Sequence, residues 1–342
     1  MGINSVAIGT YIEPELVDKI RLNFPKLIVI YEPDILPKPR YKCDHTGPAR
    51  ELSGVELAKW LQVTAGVDAY FDFDWYKPQE MIKRSPGLQW IQATSAGIGG
   101  FMKRTGLDLA PITVTTAGGI HAVPLSEFAL TGALYFTKSL PQLNRWKGEK
   151  HWQRYTTSQL AGKRILIIGL GGIGRKASEI FSALGVDVIG LGRTKDRKKN
   201  ANVRKVVSRE EMKVELPGVD IILVCCPLTD ETEGLIGVEE FSMMKTNTIL
   251  INISRGQVVD QASMIESLKD GRLLGACLDV FDEEPLGKEN PLWQMPNVLI
   301  SPHSASTVDT ENSDLVDLFC ENLTLIESGR EPRNLYLPVR GY

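Results

Sequence analysis

Apolar and polar positions alternate along this chain in two distinct rhythms. Wholly apolar runs of four or five residues, rich in β-branched side chains, are separated by stretches in which apolar residues return every three or four positions. The first pattern reads as strands buried on both faces of a parallel sheet, and the second as the helices that cover them. Strands are expected at Ser5 to Ile8, Leu27 to Tyr31, Ala69 to Phe73, Leu88 to Gln92 and Ile112 to Thr116, with helices over Pro14 to Leu22, Val55 to Gln62 and Gln79 to Lys83. Pro14 suits the first turn of a helix, where an N–H would have no partner anyway. Between Pro33 and Pro48, prolines at 33, 37, 39 and 48 break any regular pattern, so a surface loop is expected. A long amphipathic stretch from Leu125 to about Leu143 then predicts a helix crossing into a second region.

That second region repeats the alternation. Ile165 to Ile168, Val186 to Leu191, Ile221 to Cys225, Ile249 to Ile253, Ala276 to Val280 and Val298 to Ile300 read as strands, and Arg175 to Leu184, Glu239 to Met244 and Ala262 to Lys269 as helices. An amphipathic helix from Thr310 to Glu327 leads away, and Asn334 to Val339 is expected to return to the first sheet. The fold class implied is α/β, with two Rossmann-like, doubly wound parallel-sheet domains and a cleft between them. The second domain, 118–304, would be inserted into a first made of 1–117 plus 305–342.

Composition narrows the setting. A chain of 342 residues is comfortable for two domains. Its net charge of -3 gives no reason to expect nucleic acid or an anionic membrane as partner. No apolar run approaches the ~20 residues that span a bilayer. Met1-Gly2 lacks the Ser or Thr that N-myristoylation needs, Val6 standing there instead. Five cysteines without a C-x-x-C pair favour reduced thiols. A cytoplasmic protein without a leader peptide is expected.

The clearest chemical signal follows the strand at Ile165. Gly169, Gly171 and Gly174 fit the spacing G-x-G-x-x-G between an apolar strand and a helix, and Val186 resumes as a strand directly after that helix. Gly169 suits a tight turn, Gly171 a close approach of backbone to a pyrophosphate, and Gly174 a close packing of helix on strand. The helix's free N–H groups, Gly172 and Ile173 among them, would receive the phosphates. At the end of the next strand a NAD-binding turn would present Asp or Glu, but the chain reads Gly192-Arg193-Thr194-Lys195, followed by Arg197, Lys198 and Lys199. The missing acid and the basic run favour NADP(H), with NAD(H) possible; a solvated surface loop is the alternative reading of the run.

Three polar residues stand at the carboxyl ends of successive second-region strands: Arg255, Glu284 and His303. An Arg can clamp a carboxylate, and a His beside a carboxylate can move a proton. Taken singly, each also fits a structural role at a sheet edge or in a loop. In the first region, Thr94 to Gly100 is a small-residue loop at a strand end, suited either to holding an anion on its N–H groups or to a plain turn.

On Gly169 to Gly174, Arg255-Gly256, Glu284-Pro285 and Pro302-His303, taken in this order, the sequence resembles the D-2-hydroxyacid dehydrogenase family. Leu160 to Lys163, Cys226-Pro227-Leu228-Thr229 and Asn297-Val298 add to the likeness. The resemblance implies reversible reduction of a small 2-keto acid to the D-2-hydroxy acid by hydride from NAD(P)H. Arg255 would bind the substrate carboxylate and carbonyl, His303 would give the proton, and Glu284 would orient the imidazole and raise its pKa. Asp279 would grip the nicotinamide carboxamide, Cys226 and Pro227 would line the coenzyme, and Ser95, Ala96, Gly97 and Ile98 would hold the carboxylate on backbone. After Pro302-His303 the family usually has an aliphatic and then small residues; Ser304-Ala305-Ser306 instead makes a more polar floor, with Ser306 beside the coenzyme. His121, Trp152 and Tyr155 are candidate pocket walls, with a core or interface role as the alternative. A homodimer joined through the coenzyme domain is implied. Glu284 argues against a formate-dehydrogenase-type member, which has Gln there. From another class, a nucleotide-sensing corepressor or scaffold on the same fold stays open.

Overall fold

In the computed structural model, which describes residues 2–45, 50–192 and 201–338, the chain divides into two compact units. Met1–Ile120 and Thr307–Tyr342 form the first, and His121–Ser306 the second. Both are α/β units built on parallel sheets.

The first unit begins β1 (Ser5–Ile8), α1 (Pro14–Asn23), β2 (Ile28–Ile30), α2 (Gly54–Val63), β3 (Ala69–Phe71), α3 (Met81–Arg84), β4 (Trp90–Gln92), α4 (Gly99–Thr105) and β5 (Thr113–Thr115). Its sheet runs β2-β1-β3-β4-β5, so the strand order turns back between β1 and β3. Alternate strand residues serve opposite faces: Val6, Ile8 and Phe71 join one core cluster, Ala7, Tyr70 and Ile91 the other. The start of α2 is written in its sequence, because Ser53 Oγ accepts from Glu56 N (3.2 Å) while Glu56 Oε2 accepts from Ser53 N (2.9 Å). The expected helix at Gln79 to Lys83 is a 3₁₀ turn, Pro78–Glu80, followed by α3. The seven-residue α4 was not expected; it begins on Gly99 and Gly100, the last two residues of the expected loop, and Gly106, at φ 73°, ends it.

The second unit continues with α5 (Ala122–Thr137), α6 (Leu140–Glu149), β6 (Arg164–Ile168), α7 (Gly172–Ala183), β7 (Asp187–Leu191), β8 (Lys205–Val207), α8 (Arg209–Glu215), β9 (Ile221–Val224), α9 (Val238–Met243), β10 (Thr248–Asn252), α10 (Gln261–Lys269), β11 (Leu273–Leu278) and β12 (Val298–Ile300). Its order, β12-β11-β10-β9-β6-β7-β8, is the doubly wound arrangement with one further strand, and it reverses between β6 and β9. Ile165, Ile167, Ile221 and Leu223 face one core; Leu166, Ile168, Ile222 and Val224 face the other. That two-sided burial is why these strands are unbroken apolar runs. The single helix expected from Leu125 to Leu143 is two. Ser139 takes a left-handed φ of 55°, and Pro141 in the first turn of α6 has no N–H to continue α5. Strand β8 and helix α8 were not expected; β8 is three residues long with a lysine at its start.

The chain then returns to the first unit as α11 (Glu311–Glu327), whose Leu315, Val316, Phe319 and Leu323 enter the core beside Val6, Ile8 and Trp90. Phe319 stacks on Trp90, ring centroids 4.8 Å apart. Beyond it the chain does rejoin the sheet, as a single antiparallel bridge between Leu335 and Thr115 rather than a strand, with Tyr336 N donating to Val114 O (2.8 Å). Among the described residues no helix is long and apolar enough to cross a membrane.

Candidate active site

The turn after β6 sits where the second unit's strand order reverses, the place at which such sheets bind ligands. Gly169 has a φ of 105°, and a Cβ on it would lie 2.7 Å from Cys226 N. A Cβ on Gly174 would lie 1.9 Å from Gly169 O. Both glycines are therefore required by packing within the chain. Gly171 is different: a Cβ there would meet nothing within 4 Å. Its open side, together with the N–H groups of Gly172, Ile173 and Gly174 at the start of twelve-residue α7, none of them with a partner among the described residues, offers the free backbone donors that a pyrophosphate needs.

The neighbouring candidates are placed unevenly. Ile173 is half-buried in a core cluster. Cys226 faces the core, where burial pushes its thiol up to about 11, so only its backbone borders the turn. Pro227 is exposed and its carbonyl accepts from Thr232 Oγ1 (2.7 Å). Gly192, where an acid would face a ribose, stands 3.2 Å from the Leu170 side chain when given a Cβ. Arg193 and Thr194, with Lys195, Arg197, Lys198 and Lys199, lie outside the described residues.

Arg255 follows β10. Asn252 shapes its turn from both sides, accepting from Ser254 N (3.1 Å) and donating to Arg255 O (3.1 Å). The guanidinium, half-buried, donates to Ser254 O at 2.6 Å. Gly256 lets this turn press on the one after β11, for a Cβ there would lie 2.0 Å from Phe281 C. Gln257 Nε2 donates across the same seam to Asp282 O (2.8 Å). The second turn carries Glu284, whose Oε1 accepts from Phe281 N (3.0 Å) and whose Oε2 lies 2.7 Å from His303 Nδ1. Beside a carboxylate Nδ1 carries the hydrogen, so His303 Nε2 faces outward with no partner among the described residues.

Asp279, 2% exposed, locks the loop that bears His303. Its Oδ1 accepts from Ser301 Oγ (2.6 Å), Ser304 N (2.9 Å) and Ala305 N (3.0 Å). Burial pushes the carboxyl up, those donors and the nearby His303 opposing it. Oδ2 has no hydrogen-bond partner among the described residues. Ser306 lies half-buried just beyond. Asn252 and Ser301 were not singled out from sequence, and Gly256 was read only as part of the Arg255-Gly256 turn; Asn252, a polar residue inside an apolar run, was the available signal.

Of the first unit's loop, Ser95, Ala96 and Gly97 are exposed after β4, while Ile98 turns into the core at 4% exposure, leaving only its backbone to the loop. The N–H groups of Ser95 and Ala96 have no partner among the described residues. His121 stands at the N-terminal boundary of α5 without a side-chain capping bond, Trp152 is 97% exposed, and Tyr155 packs edge-on against Trp146 at 5.2 Å.

Comparison with known proteins matches residues 130–305 to the family described as D-isomer specific 2-hydroxyacid dehydrogenase, NAD binding domain. A glyoxylate reductase from Aeropyrum pernix is 30% identical over 267 residues, 75% of this chain and 78% of that protein. A D-3-phosphoglycerate dehydrogenase from Archaeoglobus fulgidus is 29% identical over 293 residues, 84% of this chain and 54% of that one. A solved D-isomer specific 2-hydroxyacid dehydrogenase from Xanthobacter autotrophicus Py2, in complex with NADPH and MES, is similar over the whole of both chains, at 26% identity and a TM-score of 0.79.

Proposed function

This chain belongs to the D-isomer specific 2-hydroxyacid dehydrogenase family, and from that premise we propose that it reduces a small 2-keto acid to the D-2-hydroxy acid, reversibly, at the strand ends of the second unit. It is an NAD(P)-dependent oxidoreductase acting on a CH–OH group. NADPH is preferred and NADH possible, which Gly192 in the acid's place supports. The observation that carries the reading is the 2.7 Å contact of Glu284 Oε2 with His303 Nδ1, on a turn seamed to the one bearing Arg255.

A bound nicotinamide coenzyme supplies the hydride that reaches the keto carbon. Everything else falls to the chain. Gly169, Gly171, Gly172, Ile173 and Gly174 would hold the pyrophosphate, Cys226, Pro227 and Ser306 would lie along the coenzyme, and Asp279 Oδ2 would accept from the carboxamide. Arg255 pairs with the substrate's carboxylate and polarises its carbonyl oxygen. Glu284 fixes the imidazole so that Nε2 points at that oxygen and gives it a proton as negative charge develops; in oxidation Nε2 takes the proton back. The exposed N–H groups of Ser95 and Ala96, with Gly97 and the Ile98 backbone, receive the carboxylate from the first unit. On this reading 118–304 is the coenzyme domain, and 1–117 plus 305–342 the substrate domain. The chain acts as a homodimer through the coenzyme domain, to which the exposed Trp152 lends support; a monomeric mass in solution would refute that.

The test is oxidation of NADPH and of NADH by the full chain against glyoxylate, hydroxypyruvate, pyruvate and branched 2-keto acids. Turnover favouring NADPH supports the proposal. Tight coenzyme binding with no turnover on any of them overturns it and marks a nucleotide sensor.

A further inference from the structure

The first unit carries a buried polar cluster that this reaction leaves unassigned. The unit's sheet order reverses between β1 and β3, and ligands of open parallel sheets bind outside the carboxyl ends of strands at such a reversal. Thr10 follows β1 there, and Asp72 follows β3. The two strand ends run close: Gly9 N donates to Phe71 O (2.8 Å), and a Cβ on Gly9 would lie 2.3 Å from Phe73 O. Thr10, Asp72 and, after β4, Thr94 are all buried at 5% exposure or less.

Within this cluster the hydrogen bonds are nearly complete. Thr94 Oγ1 donates to Asp72 Oδ1 (3.1 Å) and Trp75 Nε1 to Asp72 Oδ2 (2.7 Å). Thr10 Oγ1 lies 3.3 Å from His45 Nδ1. One group is left over. His45 Nε2 is buried and has no hydrogen-bond partner among the described residues. A buried polar atom without a partner is rare enough to require an explanation. Asp72 is also held at a left-handed φ of 66°, a conformation that non-glycine residues adopt only where their surroundings impose it. Burial pushes the Asp72 carboxyl up, and the nearby His45 is the first of the influences that oppose it, so the two share one poorly solvated site.

With Thr10 on its Nδ1 edge, a neutral imidazole that accepts there carries its hydrogen on the shielded Nε2, which is then a donor for a ligand oxygen. One strand over, Ser95 and Ala96 offer exposed N–H groups suited to a carboxylate, and the Thr94–Asp72 bond joins the two places. We propose that His45, oriented by Thr10 and backed by Asp72, determines substrate specificity. It receives a hydroxyl or carboxylate oxygen on the third carbon of a 2-keto acid whose own carboxylate lies on Ser95 and Ala96. The inference rests on the 2-keto acid reading above.

The experiment compares kcat/KM for hydroxypyruvate and pyruvate, which differ by one hydroxyl on the third carbon, using the full chain and NADPH. A site built to hydrogen-bond that hydroxyl favours hydroxypyruvate by about tenfold or more. In His45→Leu the preference disappears while the pyruvate value stays within about threefold of wild type. His45→Gln, which keeps a donor, retains most of it. Should His45→Leu fail to melt like wild type, Thr10→Val, which frees the Nδ1 edge, is read in its place with the same two outcomes. A wild type indifferent to the hydroxyl, or a preference that survives His45→Leu, overturns the proposal. Turnover of no 2-keto acid at all sinks the oxidoreductase reading instead, so the two failures are distinct.

Discussion

Asp279 offers a prediction in which stability and coenzyme binding come apart. Its Oδ1 takes three donors from the loop 301–305 that carries His303. In Asp279→Ala all three lose their acceptor. Ser301, Ser304 and Ala305 are only half-buried, so water can replace part of what is lost, and the cost is about 3 kcal/mol rather than the sum of three fully buried losses. For a unit of this size that lowers Tm by roughly 6–12 °C. Asp279→Asn keeps Oδ1 as acceptor and removes only the charge. Because burial raises the folded carboxyl's pKa, the ionised group weakens the folded state increasingly as pH climbs through that raised value; the neutral amide avoids this. Its Tm at pH 7 should therefore stay within about 3 °C of wild type. In the proposed coenzyme placement its Nδ2 would present a donor to the carboxamide where an acceptor stood, and NADPH affinity should fall by about tenfold or more. Thermal melts and fluorescence titration with NADPH measure the two effects. If Asp279→Asn melts as low as Asp279→Ala, the charge rather than the acceptor geometry holds the loop. If its NADPH affinity is unchanged, Oδ2 does not face the coenzyme.

Other substitutions probe separate parts of the account. Gly174→Ala puts a Cβ 1.9 Å from Gly169 O, so α7 must move off β6; a stability loss of about 2 kcal/mol or more is expected by urea denaturation, with NADPH binding abolished. Asp187 is held below the usual carboxylate range, chiefly by the bond from Arg204 Nε (2.6 Å) and then, against some desolvation, by that from Arg164 Nε (3.0 Å). Its contribution is present above the unfolded carboxyl's pKa and lost as pH falls through the folded value. The gap between wild type and Asp187→Asn, about 1 kcal/mol at pH 7, should thus close below about pH 4 in urea melts, and a gap that widens in acid would contradict the assignment. Burial raises every cysteine thiol, Cys226 to about 11, so a thiol-specific disulfide reagent at pH 8 should label the native chain slowly and the urea-unfolded chain at once; rapid native labelling would oppose it.

Why some of this was legible in sequence and some not follows from where each residue gets its constraint. Ile165 to Ile168 and Ile221 to Val224 are covered on both faces, so every position had to be apolar and the strands announced themselves. The three residues of β8, with Lys205 at their start, carry no such constraint. The α5–α6 break depended on weighing Pro141 and a left-handed Ser139 against an unbroken amphipathic pattern, and the pattern pointed the wrong way. In the site, Arg255, Glu284 and His303 were visible because each follows an apolar run. That Gly256 seams two of their turns together is tertiary information, since its demand for a glycine comes from Phe281, far along the chain. The Asp72–His45 cluster was invisible for the same reason: only the sheet order brings the ends of β1 and β3 side by side. The basic run from Arg193 to Lys199 stands outside the described residues, so the coenzyme argument from structure rests on Gly192.

The most direct measurement is the reduction kinetics of His303→Ala with NADPH and its best 2-keto acid, beside NADPH affinity in the same variant. A residue that only gives the proton should lower kcat by about 10²–10⁴-fold and leave the NADPH affinity of wild type in place. A kcat within a few fold of wild type would contradict the account, and so would a loss that comes entirely through failure to bind NADPH.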